Sequence, residues 1–302
     1  MKTGRKATIV SISMAPRPIE KIIPVLEKEA AGDGDLLLLP ETCTGNEPIL
    51  KIDGSEIKQV SAIAKKYGKY IVFPAYRCTE KIKRINSSIF FNREGEIIGM
   101  YDKVYPYWSE FDSNPPVVPG DEAPVFETDF GRIGFAICFD ANFPEVWKRL
   151  SLKKAELVLW SSAYSAGTSL QAHAINHNYA IISSTWSPDC LFYDITGKEI
   201  FYGKGEDVAV FRNEVDLDRC VFHTNFNTER RDKLLREKAG EIEMDSVFEK
   251  ESWFTLRAIK PGVSAKALAK EYGLEELSAY KLRSQTEIDK MRGYRFAGKT
   301  LM

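Results

Sequence analysis

Three residues stand where covalent chemistry is possible. Cys138 closes the apolar run GRIGFAIC, just before Phe139-Asp140 and a helix expected from about Pro144. Glu41 follows the continuous apolar run Leu36–Leu39 and Pro40. Lys103 lies in GMYDKVYPYW among Tyr101, Tyr105, Tyr107 and Trp108, unusual company for a solvated lysine. The C-terminal end of a strand is where α/β folds place their sites. A thiol there becomes a nucleophile only with a base or a positive neighbour to draw off its proton. A carboxylate at the end of a fully apolar strand is costly unless paired, and a buried carboxylate can act as that base. Singly, Cys138 reads as a small buried hydrophobe, and Glu41 and Lys103 as surface charges or a structural ion pair. Together they supply a nucleophile, a base and a cation.

Histidine is scarce, with three in the chain beside five cysteines, so a Cys–His pairing has few suppliers. His173 and His177 are four apart in a helical stretch and could share a face. No glutamate lies between them and no third ligand is evident, so ordinary helix positions are the better reading, and no metal is expected. His223 stands alone after a strand. G-x-S-x-G, Walker A and zinc-ribbon spacings are missing.

These residues need elements to hold them. Residues 7–13 read as a strand and 18–30 as a helix with Ile22, Ile23 and Leu26 on one face. Leu36–Leu39 reads as a strand buried on both sides. Residues 55–67 form a helical pattern with Ser55 as the expected cap and Gly68 as its stop. KYIVFPAY is a strand, and SSIFFNREGEIIGMYDK a hairpin turning at Glu94-Gly95. The second half alternates again: strand 131–139, helix 143–154, strand 156–160, helix 168–178, strand 179–185, then β-like segments to 215. Two such halves with antiparallel pairs interspersed predict an α/β sandwich of two packed sheets with helices outside.

The 302 residues carry 42 Lys+Arg against 43 Asp+Glu, a balance that disfavours a general polyanion binder or a membrane-surface protein. The five scattered cysteines contain no C-x-x-C pair, which points to reduced thiols and a cytoplasmic setting. No apolar run approaches the roughly 20 residues of a transmembrane helix. Past about residue 225 the composition changes. Residues 228–250 are dominated by charge without an apolar stripe and read as a solvated helix or an arm packing on a partner. SWFTLRAIK is strand-like, and the C-terminus is helical. Its helix–glycine–helix pattern also suits a nucleic-acid-binding module, but eight Lys/Arg against five Asp/Glu over 261–302 is a small excess.

Three motifs in order resemble the carbon–nitrogen hydrolase (nitrilase) superfamily: LLLLPET around Glu41, YDKVYP around Lys103, and GFAICFDANFPEVWKRLSLKKAELVLWSSAY around Cys138. QAHAINHNYAIISST, the D-x-x-G turn at Asp194–Gly197 and EVDLDR extend the likeness over about residues 7–220. The resemblance implies a four-layer αββα sandwich over residues 1–225, with 226–302 as a C-terminal extension packing on a partner subunit. It implies Cys138 as nucleophile, Glu41 as general base and later acid, and Lys103 with the backbone N–H of Phe139 as oxyanion donors. Glu110, in YWSEFD, matches the family's second glutamate, which orients substrate and lysine. Asp140 and Glu145 match the pattern as structural residues. Tyr164 and Trp186 are expected to line the pocket, with Tyr105, Tyr107 and Trp108 closing it; aromatic residues also simply fill cores. The resemblance further implies hydrolysis of a non-peptide amide through a thioester, no cofactor, and a homodimer or larger assembly. Nitrile-hydrolysing members commonly carry Trp-Glu where this chain has Phe139-Asp140, which favours an amidase or carbamoylase. Asn142 stands where an arginine is frequent, which lowers the carbamoyl reading. An N-acyltransferase on the same fold, a ligand-binding pseudoenzyme and a nucleic-acid binder are the alternatives.

Overall fold

The computed structural model describes residues 4–293 and Arg295. The ends of the chain, including the last residues of the expected extension 226–302, lie outside the described residues. The elements in order are β1 (Lys6–Met14), α1 (Ile19–Ala30), β2 (Leu36–Leu38), α2 (Ser55–Tyr67), β3 (Tyr70–Arg77), β4 (Ile85–Phe91), β5 (Ile97–Asp102), α3 (Trp108–Phe111), β6 (Val125–Glu127) and β7 (Arg132–Ile137). They continue with α4 (Pro144–Leu152), β8 (Leu157–Ser162), α5 (Gly167–His177), β9 (Ala180–Thr185), β10 (Asp189–Tyr193), β11 (Glu199–Lys204) and β12 (Val208–Asp216). The last are β13 (Cys220–His223), α6 (Thr228–Glu237), β14 (Ile242–Phe248), β15 (Trp253–Ala258), α7 (Ala265–Glu271) and α8 (Leu277–Arg292).

Two six-stranded mixed sheets result, ordered β12-β1-β2-β3-β4-β5 and β11-β10-β9-β8-β7-β6. In each, three central strands run parallel: β1-β2-β3 in one and β7-β8-β9 in the other. The two-residue period of the strands decides the layers. Ile9, Leu36, Leu38, Val72 and Phe90 turn inward and join Ile133, Phe135 and Leu159 of the second sheet in one core. Their sequence neighbours Val10, Leu37, Leu39, Ile71 and Phe91 turn outward and pack with Ile22 and Leu26 of α1 and Val60 of α2. On the far face of the second sheet, Trp147 of α4 and Leu170 of α5 are fully buried. The expected αββα order is therefore present, and Leu36–Leu38 is buried on both sides. Serines stitch the sheets where β1 crosses the second one: the Ser11 hydroxyl donates to the Ser183 carbonyl at 2.5 Å, and Ser13 to the Asp189 carbonyl at 2.7 Å.

Three expectations need correction. Ser55 does not cap α2: Gly54 holds the N-cap position, and the Ser55 hydroxyl turns to Glu56 at 2.9 Å. Residues 228–250 are not one solvated helix. The charged helix stops at Glu237 and the chain returns as β14, because Ile242 is buried against the third sheet. That sheet, ordered β13-β15-β14, and helices α6 and α7 enclose a small core of their own around Phe222, Leu234, Phe254 and Leu268. Finally, the strand expected over 131–139 ends at Ile137, and Cys138 opens a 3-10 turn.

Candidate active site

β2, β5 and β7 end on one side of the sandwich, and the segments after them bring distant side chains into one pocket. Glu41 comes from the turn after β2, Lys103 from just past β5, and Glu110 from the short helix α3. The Lys103 ammonium, 1% exposed, donates to Glu41 Oε1 at 2.7 Å and to Glu110 Oε2 at 2.6 Å. Burial works against this ammonium, but the charges of Glu41 and Glu110 outweigh it and hold its pKa above the ordinary range for lysine. An ammonium has three N–H groups, so two bonds to carboxylates leave one for a substrate oxygen.

Asn86, on β4, was not among the residues singled out from sequence, yet it ties the two carboxylates together. Its Nδ2 donates to Glu41 Oε1 and to Glu110 Oε1, both at 2.8 Å. The Tyr76 hydroxyl donates to Glu110 Oε1 at 3.2 Å, and the Tyr107 backbone N–H to Glu110 Oε2 at 2.7 Å. Glu41 Oε2 accepts the Ala163 N–H at 3.1 Å. Every carboxylate oxygen of the pair thus has a donor, as buried charges require. The one signal for Asn86 was the polar run Asn86-Ser87-Ser88 between apolar residues of one strand, RINSSIFF.

Cys138 sits at the mouth of the 3-10 turn with φ +46°, a left-handed conformation that non-glycine residues rarely take. Thr42, next to Glu41, has φ +37°. Backbone strain of this kind clusters at functional sites, where surrounding structure holds it. For Cys138 the holding groups are Asp140, Trp147 and Trp160. Asp140 Oδ2 accepts the Ile137 N–H at 2.8 Å and the Tyr101 hydroxyl at 2.6 Å, while Oδ1 accepts the Tyr105 N–H at 2.9 Å. The Trp147 indole donates to the Asp140 carbonyl at 2.9 Å and the Trp160 indole to the Cys138 carbonyl at 3.3 Å. Complete burial pushes Asp140 up to about 6 despite these donors. Burial first, and then the Glu41 charge, push the Cys138 thiol up to about 12, with Lys103, the Ala163 N–H and the Ser162 hydroxyl pulling the other way. The resting thiol is therefore protonated at neutral pH, and a base is needed at the moment of attack.

Four residues expected to line a substrate pocket lie near this group. Phe139, half-buried, packs edge-on to Tyr107 at 5.3 Å and to Phe143 at 5.3 Å. Tyr107 is 52% exposed at the rim. Tyr164 meets Trp160 edge-on, and its phenol is pushed up by burial and by the neighbouring Cys138. The Trp186 indole donates to the Glu41 carbonyl, so this residue supports Glu41. Asn142 donates to the Phe139 carbonyl at 3.2 Å. His173 stacks on Trp147 and accompanies His177 without carboxylate or thiol company. Among the described residues no group of three or more His, Cys, Asp or Glu is placed to hold a metal.

Comparison with known proteins assigns this fold to a class. Residues 19–187 match the carbon–nitrogen hydrolase family model, more than half of the chain, and the protein belongs to that family. Among curated relatives, a probable nitrilase of Schizosaccharomyces pombe is 31% identical over 53% of this chain and 66% of its own length. An omega-amidase of Xenopus tropicalis is 27% identical over 47% of this chain and 57% of its own. The matched region thus spans less than two thirds of these relatives' length. An amidase of the nitrilase superfamily from Nesterenkonia AN1 superposes with TM-score 0.64 at 18% identity, covering 78% of this chain and 98% of that one. That likeness fixes the αββα fold. Among the described residues no helix is long and apolar enough to cross a membrane.

Proposed function

We propose that this protein hydrolyses the C–N bond of a linear, non-peptide amide through a cysteine thioester, with Glu41, Lys103 and Cys138 as the catalytic triad and Glu110 as the residue that orients Lys103. One observation carries the reading: a buried ammonium held between two buried carboxylates beside a thiol at a strained strand end. With the thiol protonated at rest, Glu41 takes its proton as sulfur attacks the amide carbonyl, and returns it to the departing ammonia or amine. The remaining N–H of Lys103 and the Phe139 N–H, in the first turn after the strand, stabilise the oxyanion. Water, deprotonated by Glu41, then attacks the thioester and releases the acid and the thiol. Phe139, Tyr107, Tyr164 and Trp186 form the acyl pocket. Amidase names among the relatives, and Phe139-Asp140 after the cysteine, favour an amide over a nitrile substrate.

The division into residues 1–225 and an extension 226–302 belongs to the same reading; a separate small core in the C-terminal layer supports a division near this point, and that core takes in β13 (Cys220–His223), just ahead of the boundary. We further infer a reducing, cytoplasmic setting from five free cysteines, and at least a homodimer, consistent with the exposed Trp108 and Phe111 beside the pocket rim. Light scattering tests the assembly, and a compact monomer would overturn it. The central test is a panel of amides, N-carbamoyl compounds and nitriles assayed for ammonia, with Cys138→Ala as blank. Amide turnover lost in the variant is the expected result; identical behaviour of both proteins would remove the proposal. Adding an amine acceptor and analysing products separates hydrolysis from acyl transfer.

A further inference from the structure

A second cleft, about 1060 Å³, lies away from the triad, between the outer helices α4 and α5 and the C-terminal helices α7 and α8. Nine lysines and arginines line it against three glutamates, in a chain whose net charge is -1. Some of these cations are neutralised: Lys266 pairs with Glu156, Arg283 with Glu275 at 2.8 Å, and Arg219 with Asp194 and Asp245. Lys148 of α4 and Lys281 of α8 face the cleft with no carboxylate partner among the described residues. Lys281 is held in place instead by neutral groups: its ammonium lies 3.3 Å from Asn178 Oδ1 and 5.1 Å from the Trp253 ring centroid. Burial, and then the charge of Lys148, lower the Lys281 pKa. Burial, His173 and these two lysines push His177, also in the cleft, down to about 3, so its ring is neutral and available for hydrogen bonding.

Like charges gathered from two separate layers raise the free energy of the empty site and lower that of an occupied one. The volume is at the upper end of the roughly 300–1,000 Å³ typical of small-molecule sites. Asn176, Asn178 and Ser278 add neutral polar groups to the wall. We propose that this cleft binds a small molecule carrying several phosphate charges, held between Lys148 and Lys281, and that such a ligand fastens the C-terminal helices to the sandwich. The site shares no residue with the triad, so the proposal stands or falls apart from the hydrolase reading.

The test uses the full chain and calorimetric titration at constant ionic strength. Tripolyphosphate is expected to bind one to one, at least tenfold more tightly than inorganic phosphate. Lys148→Gln combined with Lys281→Gln is expected to weaken it tenfold or more, while Lys58→Gln, on the exposed face of α2, leaves it unchanged. No binding heat, or an unchanged affinity in the double variant, overturns the proposal. So does a 20-base-pair DNA duplex that binds more tightly and displaces tripolyphosphate, which would make the surface a nucleic-acid site. Amine acylation of the unmutated protein, read by mass spectrometry, covers the case where the variant fails to fold. Tripolyphosphate should slow labelling of Lys148 and Lys281 at least threefold relative to Lys58, and equal slowing at all three refutes it.

Discussion

Asn86→Ala is the most informative perturbation of the carboxylate pair. The Asn86 amide donates two hydrogen bonds at 2.8 Å, one to each glutamate, and Glu41 and Glu110 are only 4% and 7% exposed. Hydrogen bonds to charged groups contribute about 1.5–3 kcal/mol each, so losing two removes roughly 3–6 kcal/mol. Against this stands Asn86 Oδ1, which is buried and has no hydrogen-bond partner among the described residues. Deleting it relieves about 1–3 kcal/mol of desolvation. The net expectation is a loss of about 2.5 kcal/mol at the middle of these ranges, read as a lower urea midpoint at unchanged slope. With one donor gone from each side, the carboxylates no longer fix the Lys103 ammonium, and kcat/KM should fall at least tenfold. Asn86→Asp is the discriminating twin, because it keeps the shape and sets a third acceptor against the two carboxylates. It should be worse than alanine at pH 8 and recover on acidification, as the cluster takes up a proton. An Asn86→Ala protein within about 1 kcal/mol of wild type, with unchanged kcat/KM, would refute the claim that this amide holds the pair.

Three further outcomes follow from the same geometry. Because the Cys138 thiol is pushed up to about 12, its alkylation by a neutral reagent should accelerate about tenfold per pH unit up to pH 9; a plateau below pH 8 would show a preformed thiolate instead. The Asp140 carboxyl, pushed up to about 6 in the folded protein, lies above the roughly 3.9 of an unfolded chain. The native state therefore holds the extra proton between those values, and this group's contribution to stability falls as pH rises through the window. Tyr101→Phe, which strips a donor from the charged form, should accordingly cost about 1–3 kcal/mol at pH 8 and less at pH 5 in urea unfolding; equal costs would count against it. Gly99 on β5 faces Phe126 so closely that a built Cβ would lie 1.9 Å from the ring, so Gly99→Ala should lower stability by about 1–3 kcal/mol by forcing β5 and β6 apart. A thermal midpoint within a degree of wild type would show that the contact relaxes freely.

The sequence by itself determined the layers. Continuous apolar runs in β2 and β3 mark strands covered on both faces, and the helical spacing in α1 and α2 leaves each helix one partner face, because burial is local in its pattern even when its partner is distant. It also marked Glu41 and Cys138 at the ends of apolar runs and Lys103 among aromatic residues, whereas Glu110 entered only through the family resemblance. Sequence did not show that these residues meet. Lys103 is 62 positions from Glu41, and their 2.7 Å contact exists only because β2 and β5 of one sheet end on the same side, where the packing of the second sheet brings Cys138 from the end of β7. Asn86 went unread for the same reason: its polarity has meaning only beside the two carboxylates that it joins. The C-terminal layer was misjudged because charge dominates residues 228–250, while the few buried anchors, Leu234 and Ile242, gain their partners from β13 and β15. Periodicity fixes which face of an element avoids water. Only the tertiary structure decides which charges are left facing one another once the water is gone.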